Sequence, residues 1–291
     1  RYTSLTAFNA RYRQGRITAT GSLVYTNVTE HVKIGDVPAD FQRLAPSFTV
    51  SLQPWQEQLL FLRLMYKSTF RMPTFNDLYY YRLGNRSLRP EKANEYNMGI
   101  TWSRSFSSFL NYLSVTVDGY YNDVTDKIVA FPTTYAWKMA NYGKVHVTGM
   151  DATLAAAASL GKNMVLVVSG GYTWQKAIDL TDATSKSYKD QLPYTPKHSG
   201  NVSAVLEMPW VNVGYSIVGV SERYSMSQNI PENRIDGYME HTVSLSRNFS
   251  FRHCKLRLQA EIINLTDTQY DVIKYYPMPG RSWRLTGTIE F

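Results

Sequence analysis

The segment from Lys67 to Glu95 carries six basic side chains, Lys67, Arg71, Arg82, Arg86, Arg89 and Lys92, against three carboxylates, Asp77, Glu91 and Glu95. Such a surplus draws anions. Interleaved with it are Phe75, Asn76, Tyr79, Tyr80 and Tyr81, whose flat surfaces suit a planar or aromatic ligand. Groups of the same character recur at Tyr135 and Trp137, at Lys186 and Tyr188, at Arg223 and Tyr224, and at Tyr270, Tyr275 and Tyr276. The chemistry these residues offer is capture. Covalent catalysis would need a nucleophile with a base and an orienting group beside it, and Gly-x-Ser-x-Gly does not occur. The five histidines, His31, His146, His198, His241 and His253, stand apart, without metal-ligand spacing. Cys254 is the one cysteine, so neither an intrachain disulfide nor a cysteine metal site is available. The chain therefore reads as a non-enzyme, with no catalytic residue, no metal site and no intrinsic cofactor.

The elements that must position these residues are strands. Segments of period two bounded by turn residues number about thirteen, near residues 2–13, 16–29, 41–53, 58–70, 92–104, 110–129, 137–159, 163–177, 198–208, 211–225, 238–248, 254–265 and 281–291. In the twelfth, Leu256, Leu258, Ala260 and Ile262 oppose Lys255, Arg257, Gln259 and Glu261. In the last, Trp283, Leu285, Gly287, Ile289 and Phe291 oppose Ser282, Arg284, Thr286, Thr288 and Glu290. The seventh is the weakest, since the alanine run 155–158 has no polar face. No apolar run approaches the 18 or so residues of a spanning helix. A net charge of +8 is scattered, with no Lys/Arg-rich block, which argues against nucleic acid.

Connections sort by length. Short ones fall at Gln14-Gly15, 53–57, 104–109, Gly161-Lys162, Pro209-Trp210 and 249–253. Between them come the longer 30–40, 71–91, 130–136, 178–197, 226–237 and 266–280. Short turns at one end and long loops at the other describe a transmembrane antiparallel up-and-down β-barrel, its apolar face on lipid and its polar face on the lumen. The short turns are then periplasmic, and the first and last strands both run downward. An odd number of such strands cannot close with every neighbour antiparallel, so the expectation is a C-terminal part of a larger barrel. Tyr makes up 22 residues of the chain, and an interfacial aromatic girdle accounts for many of them.

Several stretches resemble TonB-dependent outer-membrane receptors: YKSTFRMPTFNDLYY (66–80), GNRSLRPEKANEYNMGI (84–100), NYGKVHVTGMDATL (141–154), LPYTPKHSGN (192–201), INLTDTQY (263–270) and PGRSW (279–283). The resemblance implies a barrel of about 22 strands in the outer membrane of a Gram-negative bacterium, with an N-terminal plug energised through the TonB complex. Residues 1–291 would be its C-terminal portion, the plug and first strands lying outside this sequence. The implied activity is uptake of a scarce metal chelate, a ferric siderophore, haem or cobalamin, aided by outer-membrane lipid and by a surface lipoprotein in some members. An importer of peptide or glycan, or a passive porin, is the alternative. FRMP (70–73) and NRSL (85–88) resemble the paired boxes of haem receptors, but no His lies between them.

Overall fold

Alternation of apolar and polar side chains becomes one continuous antiparallel sheet in the computed structural model, which describes residues 1–33, 37–55, 57–132, 137–161, 163–252 and 254–291. Its strands are β1 (Tyr2–Gln14), β2 (Ile17–Thr29), β3 (Phe41–Leu52), β4 (Leu59–Arg71), β5 (Glu91–Ser105), β6 (Leu110–Pro132), β7 (Trp137–Gly161), β8 (Met164–Asp179), β9 (His198–Glu207) and β10 (Asn212–Val220). Two short strands, β11 (Arg223–Tyr224) and β12 (Arg234–Ile235), pair with each other in the following loop. β13 (Tyr238–Ser250) and β14 (Lys255–Ile263) return to the wall. β15 (Asp271–Ile273) and β16 (Tyr276–Pro277) form a second small ribbon, and β17 (Ser282–Glu290) ends the sheet.

The wall holds 13 strands in the order β1 to β10, β13, β14, β17, so every wall strand neighbours its predecessor in the chain. β1 and β17 lie at its two edges. Register assigns each face. Arg63 of β4 faces Gly99 of β5, which faces Asp118 of β6, and these positions belong to the polar inner face. The alternate positions, such as Leu64, Met98 and Val117, form an apolar outer face that is half or more exposed in several places. Apolar side chains exposed in such a belt mark a lipid-contacting surface.

Three expectations change. The tenth strand was expected to run through residue 225; it stops at Val220, because the chain leaves the wall to build β11. The connection near 130–136 is not a long loop, since β6 runs to Pro132 and β7 begins at Trp137, and the hairpin instead rises above its neighbours. The alanine run 155–158 is regular strand in spite of its missing polar face, because β6 and β8 pair with it on both sides. Backbone pairing there does the work that alternation does elsewhere.

Candidate ligand-binding site

The long-loop end of the wall is organised by local hydrogen bonding. The loop after β4 opens with a helix, α1 (Phe75–Tyr79), whose Thr74 hydroxyl accepts from the Asp77 N–H while the Asp77 carboxylate accepts from the Thr74 N–H. Leu78 and Leu88 of this loop are buried against Ile128 of the raised hairpin. Gly84 is required by close approach, since a Cβ there would stand 2.7 Å from the Tyr80 nitrogen and 2.8 Å from the Leu78 carbonyl. The Asn85 amide donates to the Met139 carbonyl at 3.1 Å. Asn141 accepts from the Arg89 N–H and donates to the Arg89 and Asp126 carbonyls. Loop and hairpin therefore form one rigid block.

From the opposite side the loop after β8 folds inward. Leu192 is buried against Val124, Val145 and Ala177 of the inner wall. The Tyr194 N–H donates to the Tyr224 carbonyl at 2.7 Å, joining this loop to β11. Arg223 beside it is only 4% exposed. Its Nη2 donates to the Asp271 carbonyl at 2.5 Å and the Val272 carbonyl at 3.0 Å, which ties in the last loop. Its Nη1 is buried and has no hydrogen-bond partner among the described residues. An unpartnered buried guanidinium nitrogen is costly unless something else meets it.

Two adjoining cavities result, sharing Lys127, Leu192 and Thr195. The first, about 450 Å³, is lined by Trp137, Tyr142, Tyr194 and Arg223 among others. The Trp137 and Tyr194 rings lie 6.0 Å apart. Burial raises the pKa of Tyr194, with the Lys274 N–H and Arg223 pulling it the other way, so its hydroxyl stays protonated at neutral pH. The second cavity, about 340 Å³, is polar and is lined by Arg71, Glu91, Glu95, Asn122 and Gln175. Arg71 is committed there, pairing with Asp77 at 3.2 Å and Glu91 at 3.5 Å and donating to the Ile128 carbonyl. Together the cavities offer aromatic surface and, in Arg223, a cation with no ion pair among the described residues.

Of the residues expected to capture ligand, Arg71, Trp137 and Arg223 come to these cavities. Tyr79 packs against the Leu78, Leu88 and Ile128 cluster and is covered by the Arg86 guanidinium. Phe75, Tyr80, Tyr81, Tyr275 and Tyr276 are exposed on the rim. Arg82 lies over the Tyr81 ring, and the Asn76 carbonyl accepts from the Tyr80 N–H. Tyr188 sits under Lys189, and Tyr224 pairs with Arg234. Tyr135 lies outside the described residues, as does His253. Sequence reasoning missed Lys127, Tyr142 and Tyr194 as cavity residues. Tyr194 stands inside LPYTPKHSGN and Tyr142 inside NYGKVHVTGMDATL, where they could have been found; Lys127 sits in a strand, where nothing in the pattern marks it.

Residues 3–265 match the family described as "TonB dependent receptor-like, beta-barrel". The chain belongs to this family. Among curated proteins it is 26% identical over 230 residues to the vitamin B12 transporter BtuB of Photobacterium profundum, covering 76% of this chain and 34% of that protein. A BtuB of Vibrio vulnificus is also 26% identical, over 231 residues. The chain thus spans about a third of the length of these relatives. Among solved structures, the ferric citrate transporter FecA in its unliganded form superposes with a TM-score of 0.77 at 15% identity, over 98% of this chain and 44% of that one. The ferric-catecholate receptor Fiu of E. coli K12 superposes at 0.68 and 18% identity, over 98% of this chain and 44% of that one. This TonB-dependent receptor barrel accordingly belongs to the outer membrane of a Gram-negative bacterium, its short turns periplasmic and its long loops extracellular.

Membership gives the family-like stretches structural duties. Asn264 of INLTDTQY is fully buried, accepting from the Thr268 N–H and donating to the Thr268 and Pro279 carbonyls. Asp267 accepts from the Arg281 N–H at 2.7 Å. INLTDTQY and PGRSW therefore build one turn that delivers the chain to β17. On the lipid-facing side Tyr66, Tyr96, Tyr121 and His146 contact one another in sequence across β4 to β7, at ring separations of 5.2, 6.3 and 5.3 Å. That row is an extracellular aromatic girdle. His146 is thus wall, not ligand.

Proposed function

We propose that residues 1–291 form the C-terminal portion of the barrel of a TonB-energised receptor for a scarce metal chelate, with the plug and first strands supplied by chain outside this sequence. TonB, reached through that plug, is the partner that would drive uptake, and a surface lipoprotein is a further candidate partner. Ferric siderophore, haem and cobalamin remain the chelate classes under this reading; BtuB carries vitamin B12 and Fiu ferric catecholates by their names. The observation that carries the reading is Arg223, whose guanidinium lines an aromatic cavity and whose buried Nη1 has no hydrogen-bond partner among the described residues. An anionic oxygen on a planar ligand would meet that guanidinium while its rings met Trp137, Tyr142 and Tyr194.

The full-length receptor, titrated separately with a ferric siderophore, haem and cobalamin, tests this by quenching of tryptophan fluorescence. Saturable quenching by one of them that is lost on Trp137→Phe supports the reading. If none binds, the metal-chelate assignment fails and peptide or glycan uptake replaces it. Steady open conductance of the intact receptor in a planar bilayer would instead make it a porin.

A further inference from the structure

One concavity of the wall is on its outer face. Gly200 of β9 lies directly opposite Gly219 of β10, and the pair is flanked in the same row by Tyr172 of β8 and Met239 of β13. Two adjacent outward positions without side chains, between two long ones, leave a trough of about 740 Å³. Val202 and Ile217 close its periplasmic end, and His198 and Ser221 its extracellular end. These residues share the outward parity of the lipid-facing belt, because Ala177 two turns of the pleat above Thr173 packs inward on Leu192. The trough opens toward lipid.

Its upper rim is polar in an ordered way. Tyr172 Oη lies 2.7 Å from Nδ1 of His198, and the same diagonal pairing occurs at Tyr121 with His146 and Tyr215 with His241. In the tautomer in which the tyrosine donates to Nδ1, Nε2 of His198 carries the ring proton and is a donor. Lys176 stands one outward position above Trp174, exposed, and Trp174 faces His198 across the ladder. The carboxylates at the top of β10 and β13, Glu222 and Asp236, are both engaged by Arg234, at 3.6 and 2.8 Å. The trough is thus an apolar slot capped by His198 and Lys176, which have no ion pair among the described residues.

We propose that this trough holds one acyl chain of lipid A, with a lipid A phosphate against His198 and Lys176. Position decides the occupant: an apolar groove continuous with the hydrocarbon-facing belt, at girdle height in the extracellular half, meets outer-leaflet lipid before anything else. Its volume falls within the roughly 300–1,000 Å³ typical of small-molecule sites. Charge selects the phosphorylated glycolipid over a zwitterionic phospholipid.

The test uses the full-length receptor extracted from its own outer membrane in mild detergent, with retained lipid counted by native mass spectrometry. Gly219→Leu fills the trough, since a Cβ there meets Met239 only at ordinary contact distance, 3.7 Å. Gly21→Leu is the control, another outward glycine with open space around it. Retained lipopolysaccharide should fall by about tenfold or more in Gly219→Leu and stay unchanged in Gly21→Leu. Lys176→Gln, an exposed change that leaves the wall intact, should lower retention several-fold and covers the case in which Gly219→Leu does not assemble. Equal retention in all variants, or no lipopolysaccharide on the unaltered receptor, overturns the site. Phospholipid retained and displaced in its place overturns lipid A as the occupant.

Discussion

Tyr238 and Tyr270 lie face to face, their ring centroids 3.9 Å apart and their planes 12° from parallel. Tyr238 belongs to the wall and Tyr270 to the last extracellular loop. The Tyr270 hydroxyl donates to Oε2 of Glu240 at 2.6 Å, and the Arg223 guanidinium sits 5.8 Å above the other ring. Loop, wall and candidate site are therefore coupled through one stack.

The stack has a pH signature. Burial, and then hydrogen bonding to Glu240, raises the pKa of Tyr270 above its ordinary value. A raised folded-state pKa means that the stabilising, neutral form is fully present below the unfolded tyrosine value of about 10 and is lost as pH climbs from there through the folded value. Tyr270→Phe removes the hydrogen bond and should lower stability by about 1 kcal/mol at neutral pH. The gap in Tm between the unaltered receptor and Tyr270→Phe should be constant up to about pH 10 and close above it. A gap independent of pH throughout would refute the assignment.

Gly99 permits an ion pair in the lumen. A Cβ at Gly99 would overlap Oδ1 of Asp118 and come 2.9 Å from Nη2 of Arg63, which are joined at 3.0 Å. Gly99→Ala must displace that pair, and a loss of about 1–3 kcal/mol is expected, as for other overpacked sites. Gly119→Ala serves for comparison, because its Cβ would have 4.0 Å to the nearest heavy atom, the Met98 carbonyl oxygen. Thermal unfolding of both variants settles the matter, and equal stability of the two would show that the pair relaxes freely.

Gly99 also marks what a sequence can reveal. This glycine falls within the family-like GNRSLRPEKANEYNMGI, but its reason, a charged side chain on the adjacent strand at each side, appears only with register. Strand positions were legible because each face has its own solvent, as the opposition of Leu256, Leu258 and Ala260 to Arg257 and Gln259 shows. The ends were less legible. Val220 and Pro132 stop where loop packing decides, and local pattern does not encode that. The site was legible in kind, as cationic and aromatic loops, but not in detail: tyrosines such as Tyr81 and Tyr275 remain on the rim, whereas Tyr142 reaches the cavity from within a strand.

The basic loop divides into two functions. Arg82 and Arg86 are exposed, with no ion pair among the described residues, whereas Arg71 braces Asp77 and Glu91. Gln at both 82 and 86 should slow association of an anionic chelate a few-fold at low salt and leave it unchanged at high salt. Arg71→Gln should act differently, loosening α1 without changing the salt slope. Stopped-flow association across ionic strengths separates these outcomes, and a changed slope for Arg71→Gln would show that it steers ligand after all.

Arg223 is the residue on which the candidate site turns, and two substitutions divide its duties. Lysine keeps the charge but is a single point donor without the guanidinium fork. It can satisfy the Asp271 and Val272 carbonyls or reach the cavity, but not both. Arg223→Lys should therefore weaken binding of an anionic chelate by about tenfold while the loop 264–281 keeps its protection from hydrogen exchange. Methionine removes every donor and leaves those carbonyls unmet, so Arg223→Met should cost about a hundredfold in affinity and expose the loop to exchange as well. If Arg223→Lys binds as tightly as the unaltered receptor, the guanidinium does not meet the ligand and serves only to hold the last loop against β11.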